Sequence, residues 1–319
     1  MKTSIFSLDQ IRSAIQIPDL INVIEEGFKL YSLGKVTVPP VGHLAFPKTH
    51  GDVHIKYGYI QDDEYFVIKI ASGFYDNPKI GLPSSNGLML VFSQKTGELL
   101  GVLLDEGYLT DIRTAVAGAI TAKYLAPKIV KKIGIVGTGI QAHLQLELLK
   151  HITECKEVMV YGRNEANLEK YKKNMEAKGF SVTPTLNVDE LTNQCNLIVT
   201  TTPSTESILH VDQIKEGTHI TAMGADSKGK QELDARIMQR ADIVVADSIE
   251  QCIDHGELAH AIEEGLIEET KIKELGKVIE DSKLQRQNDK QITVTDLTGV
   301  AVQDIQIAKY VFLKLSNRV

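Results

Sequence analysis

The sequence predicts an α/β protein in which a doubly wound parallel sheet is joined to a second, α+β domain. Three observations carry this. From Lys132 onward short apolar runs alternate with helical segments, the rhythm of a parallel sheet covered on both faces. The stretch Gly137-Thr138-Gly139-Ile140-Gln141-Ala142 fits G-x-G-x-x-(G/A) and sits between an apolar run and an apolar helix, which makes the parallel domain one of Rossmann type. Between Val41 and Leu104, in contrast, β-type runs follow one another with turn signals between them.

Taken in order, residues 7–33 read as helix, first with Leu8, Ile11, Ala14 and Ile15, then restarted by Pro18 with Leu20, Ile21, Ile24 and Phe28 at helical spacing. Pro39-Pro40 breaks the pattern. Val53–Tyr59 alternates with period two. Tyr65–Ile70 is a second strand, Leu88–Phe92 a third and Leu99–Leu104 a fourth, and Gln94-Lys95-Thr96-Gly97 makes the last two an antiparallel hairpin. Leu109–Leu125 is an Ala-rich helix ended by Pro127. The α/β part then places strands at Ile133–Val136, Val158–Tyr161, Leu197–Thr202, His219–Gly224, Ile243–Ala246 and Ile292–Asp296, with a helix from Glu165 to Ala177 among them. A last helix, Ala301–Leu315, is expected to return to the first domain. The expected domains are 1–123 with 299–319, and 124–298.

Composition bounds the function. A length of 319 residues suits about two domains. A formal charge of −7 argues against a nucleic-acid partner. No apolar run approaches membrane-spanning length and the N-terminus is not of signal type, so a cytoplasmic protein with no membrane partner is expected. Cys155, Cys195 and Cys252 show no metal-ligand or redox spacing, so free thiols and no metal are expected.

In the glycine motif, Gly137 makes the tight turn, Gly139 lets backbone approach a pyrophosphate, and Ala142 lets the helix pack on the strand. Thr138, Ile140 and Gln141 complete the loop and the helix N-terminus that faces phosphate. The next strand ends in Tyr161-Gly162-Arg163-Asn164. An NAD-preferring site usually has an acid here; instead Arg163 offers a cationic fork to a 2′-phosphate, unless it is a solvated loop residue. NADP(H) is therefore favoured, with NAD(H) open. Thr201, Thr202 and Met223, at the carboxyl ends of later strands, are further cofactor candidates.

Three polar residues need a reason. Lys69 lies among apolar neighbours, where an unpaired ammonium is costly, unless the position faces solvent. Arg113 lies in the Ala-rich helix and can bind a carboxylate through two hydrogen bonds, or serve as a structural contact. Asp226 follows a strand's carboxyl end, where ligands of open α/β sheets sit, and a carboxylate there can carry protons to and from nitrogen; the alternative is a helix N-cap for a segment starting near Glu232. His43, His54 and His219 are scattered singles that read as structural.

Taken together, the chain resembles the ornithine cyclodeaminase/μ-crystallin family from about Ile24 to Leu315. The resemblance rests on 109–115 with Leu125-Ala126-Pro127, on the glycine motif, and on Thr200-Thr201-Thr202-Pro203-Ser204. It also rests on the runs 217–220, 224–233 and 296–304. The runs 72–78 and 105–111 are further similar to members encoded with ectoine-breakdown enzymes, and archaeal alanine dehydrogenase-like members are close in motif. The resemblance implies a homodimer built on the first domain and the last helix, and a nicotinamide bound across the interdomain cleft. It implies that Lys69 and Arg113 hold the substrate α-carboxylate and that Asp226 is the acid/base at the substrate nitrogen. Ser84 and Thr114 would lie near the phosphates or nicotinamide, and Thr298 and Gly299 would line its side. Two departures stand out. Where the cyclodeaminase has a glutamate for the distal amine of ornithine, this chain has Lys56, which repels an ammonium and favours a second carboxylate or a short side chain. A cation that relatives use on the α-carboxylate falls at Val41, with His43 nearby, so part of the clamp passes to Lys56. The activity implied is an oxidoreductase, an NAD(P)H-dependent imine reductase or amino-acid dehydrogenase acting on a small 2-imino acid. The alternatives are ornithine cyclodeaminase and a non-enzymatic NADP-binding protein.

Overall fold

The computed structural model describes residues 3–316. The chain divides into two compact units, Met1–Thr114 with Val300–Val319, and Ala115–Gly299. The division falls within the Ala-rich helix, between Thr114 and Ala115. The first turns of that helix belong to the first unit, with Leu109 N–H donating to Asp105 and Arg113 bonded to Asp304 near the other end of the chain.

The first unit opens with β1 (Ser4–Phe6), α1 (Leu8–Ala14) and α2 (Ile17–Ser32). Then come β2 (Val36–Thr37), β3 (Gly42–Phe46), β4 (Gly51–Ile60), β5 (Tyr65–Phe74), β6 (Ser85–Ser93), β7 (Leu99–Leu103) and α3 (Tyr108–Leu125), which runs on into the second unit. The sheet order is β1-β7-β6-β5-β4-β2, with β3 also on β4. β6 and β7 form the expected antiparallel hairpin, whose turn ends at Gly97 with φ of 73°. Sequence reading missed β1, β2 and β3, which are short and lack an apolar run of their own.

One face of this sheet is covered by the C-terminal helix Ala301–Leu315, which belongs to this unit. The helix is buried along most of its length and α2, whose Leu20, Ile24 and Phe28 are buried, packs on it. Gly27 makes that approach possible, because a Cβ there would stand 2.7 Å from Gln306 Cγ. Each fully buried large apolar side chain in this layer contributes about 1.5–3 kcal/mol. The opposite face of the sheet carries Leu44, Phe46, Tyr57 and Tyr59, all exposed, beside the stacked pair Phe66–Phe92.

The second unit continues with β8 (Ile133–Val136), α4 (Ile140–Leu149), β9 (Glu157–Tyr161), α5 (Glu165–Glu176), β10 (Ser181–Thr185), α6 (Val188–Gln194) and β11 (Leu197–Thr200). There follow β12 (Thr205–Leu209), β13 (His219–Ala222), β14 (Gln231–Leu233), α7 (Arg236–Arg240), β15 (Ile243–Ala246), α8 (Ile249–His255), α9 (Glu257–Glu263), β16 (Ile272–Glu274), α10 (Leu275–Glu280) and β17 (Thr293–Asp296). Eight strands form a parallel sheet ordered β10-β9-β8-β11-β13-β17-β15-β16; β12 and β14 pair separately. Strand order reverses between β8 and β11, and beyond the carboxyl ends of two such strands lies the crevice where open α/β sheets take ligands. β11 and β13 end at Thr200 and Ala222, earlier than expected, which leaves Thr201, Thr202 and Met223 in the loops that face that crevice.

His219 is structural, as expected. Its ring is fully buried between Thr293 Oγ1 (2.8 Å) and Thr221 Oγ1 (3.0 Å), and burial, with Arg286 nearby, pushes its pKa down to about 3, so it stays neutral. The three cysteines are unbridged, with Cys195 and Cys252 buried. No helix among the described residues is long and apolar enough to cross a membrane.

Candidate functional site

The glycine loop is built as its residues require. Gly137 has φ of 114°, and a Cβ there would stand 2.6 Å from Thr201 Oγ1, so no other residue fits without displacement. Gly139 is the N-cap of α4, and a Cβ built on it meets nothing within 4 Å, which leaves the helix N-terminus open to an approaching group. Ala142 is fully buried, and its carbonyl accepts from Tyr171 Oη at 3.0 Å. Thr201 anchors the neighbouring loop, with N–H and Oγ1 both donating to Val136 O at 2.9 and 3.0 Å.

A cavity of about 900 Å³ lies over these loops, lined by Gly137, Thr138, Gly139, Gly162, Arg163, Asn164, Thr201 and Thr202 among others. Ile140 lines an adjoining cavity of about 520 Å³. Arg163 is exposed at the cavity wall. The Asn164 side chain accepts from Asn167 N–H at 3.0 Å and so caps α5, which fixes the loop carrying Arg163. Gln141 is half-buried on α4, and Met223 is nearly buried with its sulfur 2.9 Å from Gln145 Nε2. An open helix N-terminus, a positive-φ glycine and a cavity of this size fit the pyrophosphate and ribose of a dinucleotide.

Buried carboxylates that sequence reading did not single out hold these loops in place. Glu232, on β14 and fully buried, accepts from Thr202 N–H (2.6 Å), Thr200 Oγ1 (2.7 Å) and Gly224 N–H (2.8 Å), so one side chain ties the ends of β11 and β13 together. Glu257 stands behind it and accepts from the N–H groups of Glu232 (2.6 Å) and Leu233 (3.0 Å). Burial raises both carboxyls, and for Glu257 the nearby Asp296 and Glu232 add to it. Asp247 does similar work at Thr298 and Gly299: it accepts from Thr298 N–H and Oγ1, both at 3.1 Å, and from Gly299 N–H at 2.7 Å. The sequence signal for these roles was weak, since an acid in a loop reads as solvated until its backbone donors are known.

Asp226 lies in the loop after β13, its side chain about half exposed, with Lys230 Nζ 2.6 Å from Oδ1. The helix expected near Glu232 is absent; strand β14 stands there instead, so Asp226 does not cap a helix. That leaves a half-exposed carboxylate paired with an ammonium on a loop at the carboxyl edge of the sheet.

The first unit holds a buried charge cluster. Lys69 on β5 is only 2 % exposed, and its Nζ lies 3.0 and 3.1 Å from the Asp304 carboxylate. Arg113 on α3 is 5 % exposed and donates from Nε to Asp304 Oδ1 at 3.0 Å and from Nη1 to Gln303 Oε1 at 3.3 Å. Neither side chain faces open solvent. Lys56 on β4 is the direct cross-strand partner of Lys69. Burial pulls the Lys69 ammonium down to about 7; Asp304 opposes this, while Arg113 and Lys56 add to it. Burial by itself would raise the Asp304 carboxyl, but Arg113, Lys69 and Lys56 hold it below its usual value. Asp105, next to this cluster, is pushed up by burial and accepts from Leu109 N–H at 2.8 Å. Asp304 escaped the sequence reading because it sits in a helix that also carries Gln303, Gln306 and Lys309, so an acid there reads as solvent-facing.

The remaining candidates in this unit make further contacts of their own. Thr114 donates to Thr110 O within α3 at 2.8 Å. Ser84 accepts through its carbonyl from Phe74 N–H at 2.7 Å and lines a small cavity of about 100 Å³. His43 on β3 is exposed and faces His54, ring centroids 4.8 Å apart; two histidines that look isolated in the sequence are brought together by the β3–β4 register.

Comparison with known proteins agrees with this geometry. The model of the ornithine cyclodeaminase/mu-crystallin family matches residues 1–318. An archaeal alanine dehydrogenase, solved as a dimer with bound NAD, is 37% identical with a TM-score of 0.90, covering 100% of this chain and 98% of that one. Delta(1)-pyrroline-2-carboxylate reductase of Thermococcus litoralis, solved with NADH and L-proline, is 28% identical with a TM-score of 0.92, covering 99% and 98%. Iminosuccinate reductase of Paracoccus denitrificans, solved with NAD+, is 29% identical with a TM-score of 0.88, covering 99% and 97%. With a family model matched along nearly its whole length, the chain belongs to the ornithine cyclodeaminase/mu-crystallin family.

Proposed function

We propose that this protein is an NAD(P)-dependent imine reductase, or in the reverse sense an L-amino-acid dehydrogenase, acting on a small 2-imino acid. The observation that carries the reading is the buried cluster of Lys69, Arg113 and Asp304 beside Lys56. Three basic side chains act on one carboxylate there, and a substrate carboxylate supplies a further negative charge. A bound nicotinamide dinucleotide supplies or takes the hydride at the α-carbon. Asp226 gives the proton that the substrate nitrogen needs as its C=N bond is reduced, and takes it back in the oxidative direction. Lys69 and Arg113 orient the carboxylate, so positioning rather than covalent chemistry carries most of the rate. Lys56 stands where an ornithine ammonium would be repelled, which favours this reading over the cyclodeaminase.

The dinucleotide is held by residues 137–142 with Gly162, Asn164, Thr201, Thr202 and Met223, while Ser84, Thr114, Thr298 and Gly299 serve its nicotinamide and phosphate contacts. Arg163, with no acid at the end of β9, favours NADP(H), although the solved relatives carry NAD(H). The domains are taken as 1–123 with 299–319 and 124–298. The exposed apolar face of Leu44, Phe46, Tyr57 and Tyr59 supports a homodimer formed through the first unit.

Asp226→Asn tests the chemistry. Turnover is expected to fall by about 10²–10⁴ with NADPH binding retained, read by steady-state rates beside a fluorescence titration. Turnover near the native rate would remove Asp226 from its role.

A further inference from the structure

Three potential metal ligands meet where β3 pairs with β4. The antiparallel register sets His43 directly opposite His54 and Ala45 opposite Asp52. Side chains of a strand alternate between faces, so Asp52 and His54, two positions apart, share the face of His43. Cross-strand partners stand roughly 5 Å apart at Cβ, and positions i and i+2 roughly 6.8 Å. From such a triangle two imidazoles and a carboxylate can converge on one point. They do so here: the ligand atoms of His43, Asp52 and His54 all lie within 4.8 Å of one another. Spacing along the sequence predicts no metal at these positions; the strand register assembles the set.

The contacts within the set leave space between the ligand atoms. His54 Nε2 stands 3.7 Å from Asp52 Oδ1, beyond hydrogen-bond length. The His43 and His54 rings lie side by side, centroids 4.8 Å apart and planes tilted by 35°. Two ligands on a tetrahedral zinc, with bonds of about 2.0–2.1 Å, stand roughly 3.4 Å apart, so the histidine–aspartate separation is close to that of a bound pair. Small neighbours leave room for an ion: the partners of His54 and Asp52 on β5 are Ala71 and Gly73, and that of Asp52 on β3 is Ala45. A Cβ at Gly73 would stand 3.1 Å from Asp52 Oδ1, so a larger residue would press on the carboxylate. Tyr75 Oη lies 3.5 Å from the other oxygen, Oδ2, and leaves Oδ1 to the ion. Lys56, two positions beyond His54 on the same face, opposes a cation. Its charge acts on Lys69 and Asp304, and Lys69 is its partner on β5, whereas His43 approaches β4 from the β3 side.

We propose that His43, Asp52 and His54 form a binding site for one divalent transition-metal ion of the zinc type, with water in the fourth position. Two imidazole nitrogens and one carboxylate oxygen select such an ion over magnesium or calcium, which take oxygen ligands. The bound ion ties β3 to β4 through side chains as well as through backbone. The site is independent of the imine reductase reading, since it assigns no step of the hydride or proton transfer.

The test titrates zinc chloride into the full chain after EDTA treatment and dialysis, read by calorimetry. Binding of one zinc per chain is expected. His43→Ala, His54→Ala and Asp52→Asn, each alone, should weaken it by at least about tenfold to a hundredfold, the loss that even an indirect partner of a metal ligand causes. His50→Ala removes a nearby exposed histidine that pairs with Asp76 instead, and should leave zinc affinity unchanged. Cobalt(II) in place of zinc should give the intense visible absorption of a tetrahedral site, and His54→Ala should abolish it. The three side chains are exposed or partly exposed, so the variants are expected to fold, and circular dichroism of the metal-free proteins checks this. Zinc should raise the melting temperature of wild type and not of the three variants. No zinc bound by wild type would overturn the proposal. So would zinc affinity that survives in His43→Ala or His54→Ala, or that falls as far in His50→Ala, since the ion would then sit elsewhere.

Discussion

Lys69 sits at a protonation boundary. Burial draws its ammonium down to about 7 against the pull of Asp304, so the free enzyme exchanges this proton near neutral pH. A bound carboxylate favours the charged form and raises the value again. Therefore kcat/KM, which reports the free enzyme, should fall as pH rises above about 7, and kcat should hold to higher pH. The stability sign runs the other way. The folded value lies below the unfolded lysine's value of about 10.4. Between the two the unfolded chain binds more protons, and this residue's contribution to stability rises with pH. A fall in kcat/KM above neutrality is therefore not unfolding at this residue. A pH profile of kcat/KM that stays flat to about 10 would contradict the assignment. Lys69 and Arg113 were legible in the sequence as cations among apolar neighbours. Asp304 was not, because its partners lie 235 and 191 positions away and no local pattern links them.

At the scale of elements, the loops over the parallel sheet owe their shape to carboxylates behind them. Glu232 accepts three hydrogen bonds that join β11, β13 and β14, and an amide in its place would turn an NH2 group toward a donor. Glu232→Gln should destabilise the protein by about 1–3 kcal/mol and weaken NADH binding as well, measured by thermal melts and a fluorescence titration. Unchanged nucleotide affinity would mean that Glu232 does not set the loop geometry. The strands of the doubly wound sheet and the glycine turn were readable because buried strands make continuous apolar runs and the turn demands glycine. β10, β12, β14 and β16 were not, being short or polar. The alternation in β4 was visible, but it does not say which face is covered. Here Gly58 and Ile60 turn inward while Tyr57 and Tyr59 stay exposed, and His54 and Lys56 lie on the inward side.

For the whole molecule, two units emerge from one chain that leaves the first unit along α3 and returns to it through the C-terminal helix. The fold class was evident from rhythm and motif. A division within α3 was not readable, because a continuous helix carries no mark where one unit ends and the next begins. The central claim, reduction of a 2-imino acid, is tested most directly by NADPH and NADH oxidation with a panel of imines. The panel comprises pyruvate with ammonia or methylamine, oxaloacetate with ammonia, and the cyclic imines corresponding to proline and pipecolate. Ornithine with NAD is scored beside them for released ammonia. Oxidation of reduced cofactor with at least one imine, faster with NADPH than with NADH, is the predicted result. Ammonia and proline from ornithine with no imine reduced would contradict it.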